Sequence, residues 1–212
     1  MNRAAAIKHG YTTGARGLAS RSVISLTRTR ITPNALTASG VTLCAVASVL
    51  VLFEGHNEIL FYWAAATVFV LGSLLDILDG ALARAGGKTT PFGAFLDSTT
   101  DRVSEGFMLT AIAFVLAKHH HPVFVAVAVT AVAGSFLVSY TRAKAEALGL
   151  RGDVGIGSRA ERVVVITAGL VLAPWGVLPW SLVLLACTAW ITVGQRVLHV
   201  RKQLLSNGGN QS

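Results

Sequence analysis

The sequence predicts an all-α integral membrane protein: six transmembrane helices, preceded by an N-terminal amphipathic helix lying against the membrane. Three observations carry this reading. Of the 212 residues, 53% are hydrophobic and 13% charged, and the mean hydropathy is +0.61. The apolar residues come in blocks of about 20, the length of one helical crossing of the hydrocarbon core. The basic residues, which give a net charge of +8, gather at the ends of those blocks. That placement points to anionic lipid headgroups and anionic substrates. No basic patch interleaved with aromatic residues is present, so nucleic acid is not an expected partner.

Residues 1–32 read as a cytoplasmic, basic, interfacial segment, with six Lys/Arg (Arg3, Lys8, Arg16, Arg21, Arg28, Arg30) and no acid. Leu18, Val23, Ile24 and Leu26 give 12–30 the pattern of a helix on the membrane surface. No short apolar segment with a small-residue cleavage site opens the chain, so a signal peptide is not expected.

Thr32-Pro33-Asn34 starts the first crossing, 34–53, with proline near the first turn. A polar turn at 54–58 leads to the second, 59–84, which carries Asp76 and Asp79. Gly86-Gly87-Lys88 ends it, and Pro91 opens the third, 91–117, with Asp97 and Asp101 in its first turns. An antiparallel pair joined by so short a turn brings all four aspartates to one depth. His119, His120 and His121 follow on a turn, where consecutive side chains cannot all face one ion; they read as a solvated loop. The fourth crossing is 122–147. A four-glycine loop at 149–158 precedes the fifth, 159–173, and Trp175 and Trp180 mark an interfacial turn. The sixth, 180–200, completes a six-helix domain at 33–204, and 205–212 reads as a flexible tail. Cys44 and Cys187 lie within apolar blocks, as small buried hydrophobes do.

Orientation follows from the cations. The N-terminal segment, the turn after the second crossing, the loop after the fourth and the C-terminal end, counting residues just inside the adjacent helices, hold seventeen of the eighteen Lys/Arg, and the other three turns only Lys118. Both termini are therefore expected in the cytoplasm, as is the aspartate cluster, in the cell membrane.

The stretch from Asp76 to Asp101 holds four of the ten acidic residues. Asp76 and Asp79 are three apart, Asp97 and Asp101 four apart, so each pair shares a helix face. An unpaired carboxylate in lipid costs about 2.5–3.5 kcal/mol or more, and four together repel unless a cation neutralises them. Four oxygen donors without companion His or Cys suit Mg²⁺ or Mn²⁺, and the spacing allows two ions. Metal-bridged phosphate is the usual partner of such a site. Gly80, Ala83 and Gly93 are small residues beside the acids and allow close approach. Arg142, Arg162 and Arg196 come from three different helices at the same cytoplasmic level. Three such converging arginines favour a pocket for an anionic substrate over snorkelling to lipid phosphate. A cation transporter with intramembrane carboxylates accounts for the four aspartates but not for the glycine, alanine and arginine positions among them.

These residues resemble the CDP-alcohol phosphotransferase (phosphatidyltransferase) family. Its signature, D-x2-D-G-x2-A-R-x8-G-x3-D-x3-D, stands here as Asp76, Asp79, Gly80, Ala83, Arg84, Gly93, Asp97 and Asp101, with every spacing met. The resemblance implies that Asp76, Asp79 and Asp97 hold the metal ions, with Asp101 sharing in coordination and acting as the proton acceptor. It implies that Gly80, Ala83 and Arg84 border the nucleotide of CDP-diacylglycerol, and that the chain forms a homodimer. The stretch from Ser139 to Val165 is similar to bacterial phosphatidylinositol-phosphate synthases, in which a Ser, a Lys and two Arg line the acceptor phosphate. Ser139, Arg142, Arg162 and Arg196 occupy those places, Arg142 standing for the Lys and Lys144 for an Arg two residues on. The expected reaction is transfer of diacylglyceryl phosphate from CDP-diacylglycerol to inositol 1-phosphate, with release of CMP. Glycerol 3-phosphate is the alternative acceptor, since it also asks for a phosphate pocket; free inositol would not need three arginines.

Overall fold

The structure, a computed structural model, describes residues 32–85, 87 and 89–208. The surface helix expected at 12–30 and the last four residues lie outside them, and so does the side chain of Arg84. Among the described residues six helices form in order: α1 (Pro33–Val51), α2 (Glu58–Ala85), α3 (Pro91–Lys118), α4 (Pro122–Ala147), α5 (Arg159–Val171) and α6 (Leu178–Gly208), with a 3₁₀ turn at Ala173–Trp175 before α6. No strand occurs among the described residues. The last helix runs on to Gly208, beyond the crossing expected at 180–200.

The helix starts follow from local chemistry. Prolines open α1, α3 and α4, where the missing N–H would have no intrahelical partner. Thr90 Oγ1 accepts from Gly93 N at 3.0 Å, and Asn57 Oδ1 from Leu60 N at 3.0 Å, each covering an open donor of the first turn. Ser158 and Glu161 form a reciprocal capping box on α5.

Among the described residues, four helices are long and apolar enough to cross a membrane: the stretches Asn34–Val51, Glu58–Ala83, Pro122–Ala147 and Leu178–Ser206. Of the other two, α3 carries Asp97, Asp101, Arg102 and Glu105, and α5 has only 13 residues. Large apolar side chains such as Trp63, Leu71, Phe114, Val129 and Leu184 stand exposed, an outward dress suited to lipid. The chain has the make-up of a membrane protein.

The residues fall into two compact units, and α1, α2 and α3 each contribute to both. One unit comprises residues up to Leu43 and Leu71–Val103. Its apolar contact joins Leu36 to Leu82, with Leu75, Leu78 and Ala81 against them. A Cβ on Gly40 would lie 2.9 Å from the Gly72 carbonyl oxygen and 3.5 Å from Asp76 N. The two backbones therefore touch, which only small residues permit. One turn earlier, the Thr37 hydroxyl donates to Asp79 Oδ2. Gly72, Asp76, Asp79 and Ala83 thus form the stripe of α2 that meets α1.

The other unit comprises Cys44–Val70 and Ser104 onward. Phe69, Met108, Leu109, Ile112, Ile166, Leu170, Leu182 and Leu185 fill its core; α4 runs along α6, and α5 packs against α6. Trp63 Nε1 donates to Val171 O and Trp190 Nε1 to Thr130 O, each at 3.1 Å. The buried Glu54 accepts from Lys118 Nζ at 2.7 Å and lies 3.3 Å from His119 Nε2, tying two turns together. The three consecutive histidines are exposed, as a solvated turn requires. Cys44 is buried as expected, but Cys187 is exposed, because its position on α6 lies off the face that packs on α4 and α5.

The Gly40 contact yields a direct test. Gly40→Val should destabilise the fold by about 1–3 kcal/mol through overpacking, read as a lower midpoint of thermal unfolding in detergent. Gly194→Ala, which adds a methyl to open space, should leave that midpoint unchanged. Equal midpoints for the two variants would contradict the close helix contact.

Candidate metal and substrate site

The acidic cluster is built within the first unit from the end of α2 and the start of α3. Asp76 and Asp79 are buried, and Asp97 and Asp101 half-buried. Carboxylate oxygens of Asp76, Asp97 and Asp101 all lie within 4.8 Å of one another. At that separation two like charges repel by about 3.5 kcal/mol at an effective dielectric constant of ~20. Hard oxygen donors this close fit a hard divalent cation, which turns the mutual repulsion into attraction. Asp79 stands apart from the other three: the Thr37 hydroxyl binds its Oδ2. The structure therefore brings three of the four predicted aspartates to one point and gives the fourth a partner on α1.

Beside them opens a cavity of about 380 Å³. Asp79, Gly80 and Ala83 of α2 form one wall, and Gly93, Ala94 and Asp97 of α3 another. Gly80, Ala83 and Gly93 present little more than backbone there, so a ligand can reach the carboxylates without steric hindrance. Asp79 and Asp97 belong to the cavity lining as well as to the aspartate motif. Thr32 just before α1, Asn34 and Thr37 of α1, and Thr89 and Thr90 before α3 complete the wall. Sequence reasoning missed these five. Their shared signal is position: Thr32-Pro33 and Thr90-Pro91 are both helix starts, where hydroxyls and open backbone donors gather.

The basic residues belong to the second unit. Ser139 is half-buried on α4. Arg142 is exposed and pairs with Glu146, one turn on, at 2.9 Å; Lys144 is exposed. Arg162 is buried, and its Nε and one terminal nitrogen fork onto Glu105 Oε1 and Oε2 at 2.8 and 3.0 Å. Its other terminal nitrogen donates to Gly157 O at 2.8 Å. Arg196, also buried, donates from Nε to Val154 O at 2.9 Å and from a terminal nitrogen to Val138 O. Arg142 and Arg162 lie within electrostatic reach of Arg196. The three predicted arginines do gather, but two of them also hold the backbone. Glu105 is the participant that sequence reasoning missed. Its signal was spacing, since Asp97, Asp101 and Glu105 follow one another at four-residue intervals along α3.

Known proteins share this arrangement of sequence and fold. The family model for CDP-alcohol phosphatidyltransferase matches residues 30–194. The phosphatidylinositol phosphate synthase of Mycobacterium marinum is 38% identical over 182 residues, covering 82% of this chain and 76% of that protein. A crystal structure of the Mycobacterium tuberculosis phosphatidylinositol phosphate synthase with CDP-DAG bound superposes with a TM-score of 0.76. It is 31% identical, over 86% of this chain and 92% of that one. The same enzyme in complex with manganese and citrate gives a TM-score of 0.77 at 33% identity, over 86% and 88%. The motif from Asp76 to Asp101 lies inside the matched region, and the chain belongs to the CDP-alcohol phosphatidyltransferase family.

Proposed function

We propose that the chain transfers diacylglyceryl phosphate from CDP-diacylglycerol to inositol 1-phosphate, giving phosphatidylinositol phosphate and CMP. The observation that carries this reading is the convergence of the Asp76, Asp97 and Asp101 oxygens at a cavity bordered by the small residues of the same motif. The names of the relatives supply the acceptor. In this reading all six helices cross the cell membrane, with both termini and the acidic cluster on the cytoplasmic side.

Asp76, Asp97 and Asp101 are the residues that would hold the metal, with Asp79 completing the set through its carboxylate, which Thr37 orients. Mg²⁺ or Mn²⁺ bound there supplies neutralising charge to the phosphate oxygens and to the departing nucleotide. Gly80 and Ala83, which line the cavity, border the cytidine nucleotide together with Arg84. Asp101 takes the proton from the acceptor hydroxyl, whose oxygen attacks the lipid-proximal phosphorus. The bond from that phosphorus to the bridging oxygen breaks, and CMP departs with the electron pair. Ser139, Arg142, Arg162 and Arg196 receive the acceptor's phosphate, where planar guanidinium forks suit its geometry.

Purified protein supplied with CDP-diacylglycerol and inositol 1-phosphate should release CMP when Mg²⁺ or Mn²⁺ is present and stop when EDTA is added. Glycerol 3-phosphate and free inositol should compete poorly as acceptors. Release that persists in EDTA would remove metal from the reaction, and preferred use of glycerol 3-phosphate would reassign the acceptor. Asp101→Asn should lower kcat by about 10²–10⁴-fold, the usual contribution of a general base, while CDP-diacylglycerol still binds. A rate near that of the wild type would take the proton-acceptor role away from Asp101.

A further inference from the structure

We propose that Glu105 is a positioning residue: its carboxylate fixes the plane of Arg162 and so sets the geometry with which the acceptor's phosphate is received. The inference rests on the reading of the chain as a transferase with a phosphorylated acceptor. Glu105 lies outside the Asp76–Asp101 motif.

The geometry is specific. Both side chains are buried, and the carboxylate grips two nitrogens along one edge of the guanidinium at 2.8 and 3.0 Å. A fork of this kind fixes the plane of the group as well as its place. The remaining terminal nitrogen holds Gly157 O at 2.8 Å, at a point with no slack. A Cβ on Gly157 would lie 2.9 Å from Thr192 Oγ1, and one on Gly155, at φ +118°, only 2.4 Å from Thr192 Cγ2. The loop is pinned further on by Arg196 to Val154 O, and by Gln203, which bonds Arg151 N and O at 3.0 and 2.8 Å. Arg162 therefore sits in a rigid seat. These bonds use three of its five N–H donors and leave one on each terminal nitrogen.

Charge points the same way. Arg142, Arg162, Glu146 and Asp153 each lie within electrostatic reach of Arg196. Glu146 and Asp153 are exposed, so Glu105 is the buried carboxylate of the group. A buried guanidinium without such a partner is strongly destabilised. Glu105 thus balances the buried charge of Arg162 and holds its guanidinium in a fixed orientation.

The test is a double-mutant cycle in steady-state kinetics, with inositol 1-phosphate and CDP-diacylglycerol each varied in turn. Glu105→Gln, similar in shape but uncharged, should raise the KM for inositol 1-phosphate about tenfold, the scale expected when a binding group is misplaced. The KM for CDP-diacylglycerol should stay within about twofold. In an Arg162→Met background the same substitution should add less than about twofold, because its effect passes through Arg162. Glu105→Asp keeps the charge but withdraws it by one methylene, and should show the same split at smaller size. If Glu105→Gln does not fold, the comparison of Glu105→Asp with the wild type decides the matter. Equal change in both KM values, additivity with Arg162→Met, or a lower KM for inositol 1-phosphate would each overturn the proposal. Wild-type protein that releases no CMP with any phosphorylated polyol would overturn the transferase reading and this one with it. CMP release with an unsplit KM change would overturn the role of Glu105 alone.

Discussion

Like-charge repulsion among aspartates is the constraint around which the first unit is arranged. Asp76, Asp97 and Asp101 bring oxygens within 4.8 Å of one another, on helices whose other residues are largely apolar. Such a cluster is unfavourable in itself, and a fold keeps it when bound cations change the sign of the interaction. Holding it demands helices that do not yield. The contact of Gly40 with the Gly72 backbone provides that on one side, and the Thr37 hydroxyl adds a direct restraint on Asp79.

Much of this was legible in the chain because it is local. Helix starts at Pro33, Pro91 and Pro122, the break around Gly87, and the three- and four-residue spacing of the aspartates are all written within a few residues of where they act. The four strongest crossings could be read from length and composition. Asp79's attachment to Thr37 could not, because the two are 42 residues apart and no period links them. The same holds for Glu105 and Arg162, separated by 57: the four-residue spacing from Asp101 marks Glu105 without naming its partner. Arg196 has a second role that no local pattern shows. Basic residues at a helix end read as ligands for an anion, whereas two of this side chain's bonds go to the carbonyls of Val154 and Val138.

In the second unit, buried arginines serve as part of the scaffold. A guanidinium has five N–H donors, more than one phosphate can satisfy. Arg162 and Arg196 give part of that capacity to the loop before α5, which has few side chains of its own to pack, and retain the rest. Two of the loop's glycines, Gly155 and Gly157, lie over the side chain of Thr192, and Gly152 lies against Ala145 and Arg142, so close packing accounts for three of the four.

At 31 residues, α6 is about 46 Å long, well beyond a hydrocarbon core of ~30 Å. Spanning such a core at an ordinary tilt, a helix of this length would have turns to spare outside it, stiffly continuous with the buried Leu182 and Leu185. A fluorophore or affinity handle fused at that end would be carried away from the lipid on a rigid arm. Its orientation would report on the helix itself, making the carboxy terminus the practical place from which to immobilise or observe the molecule.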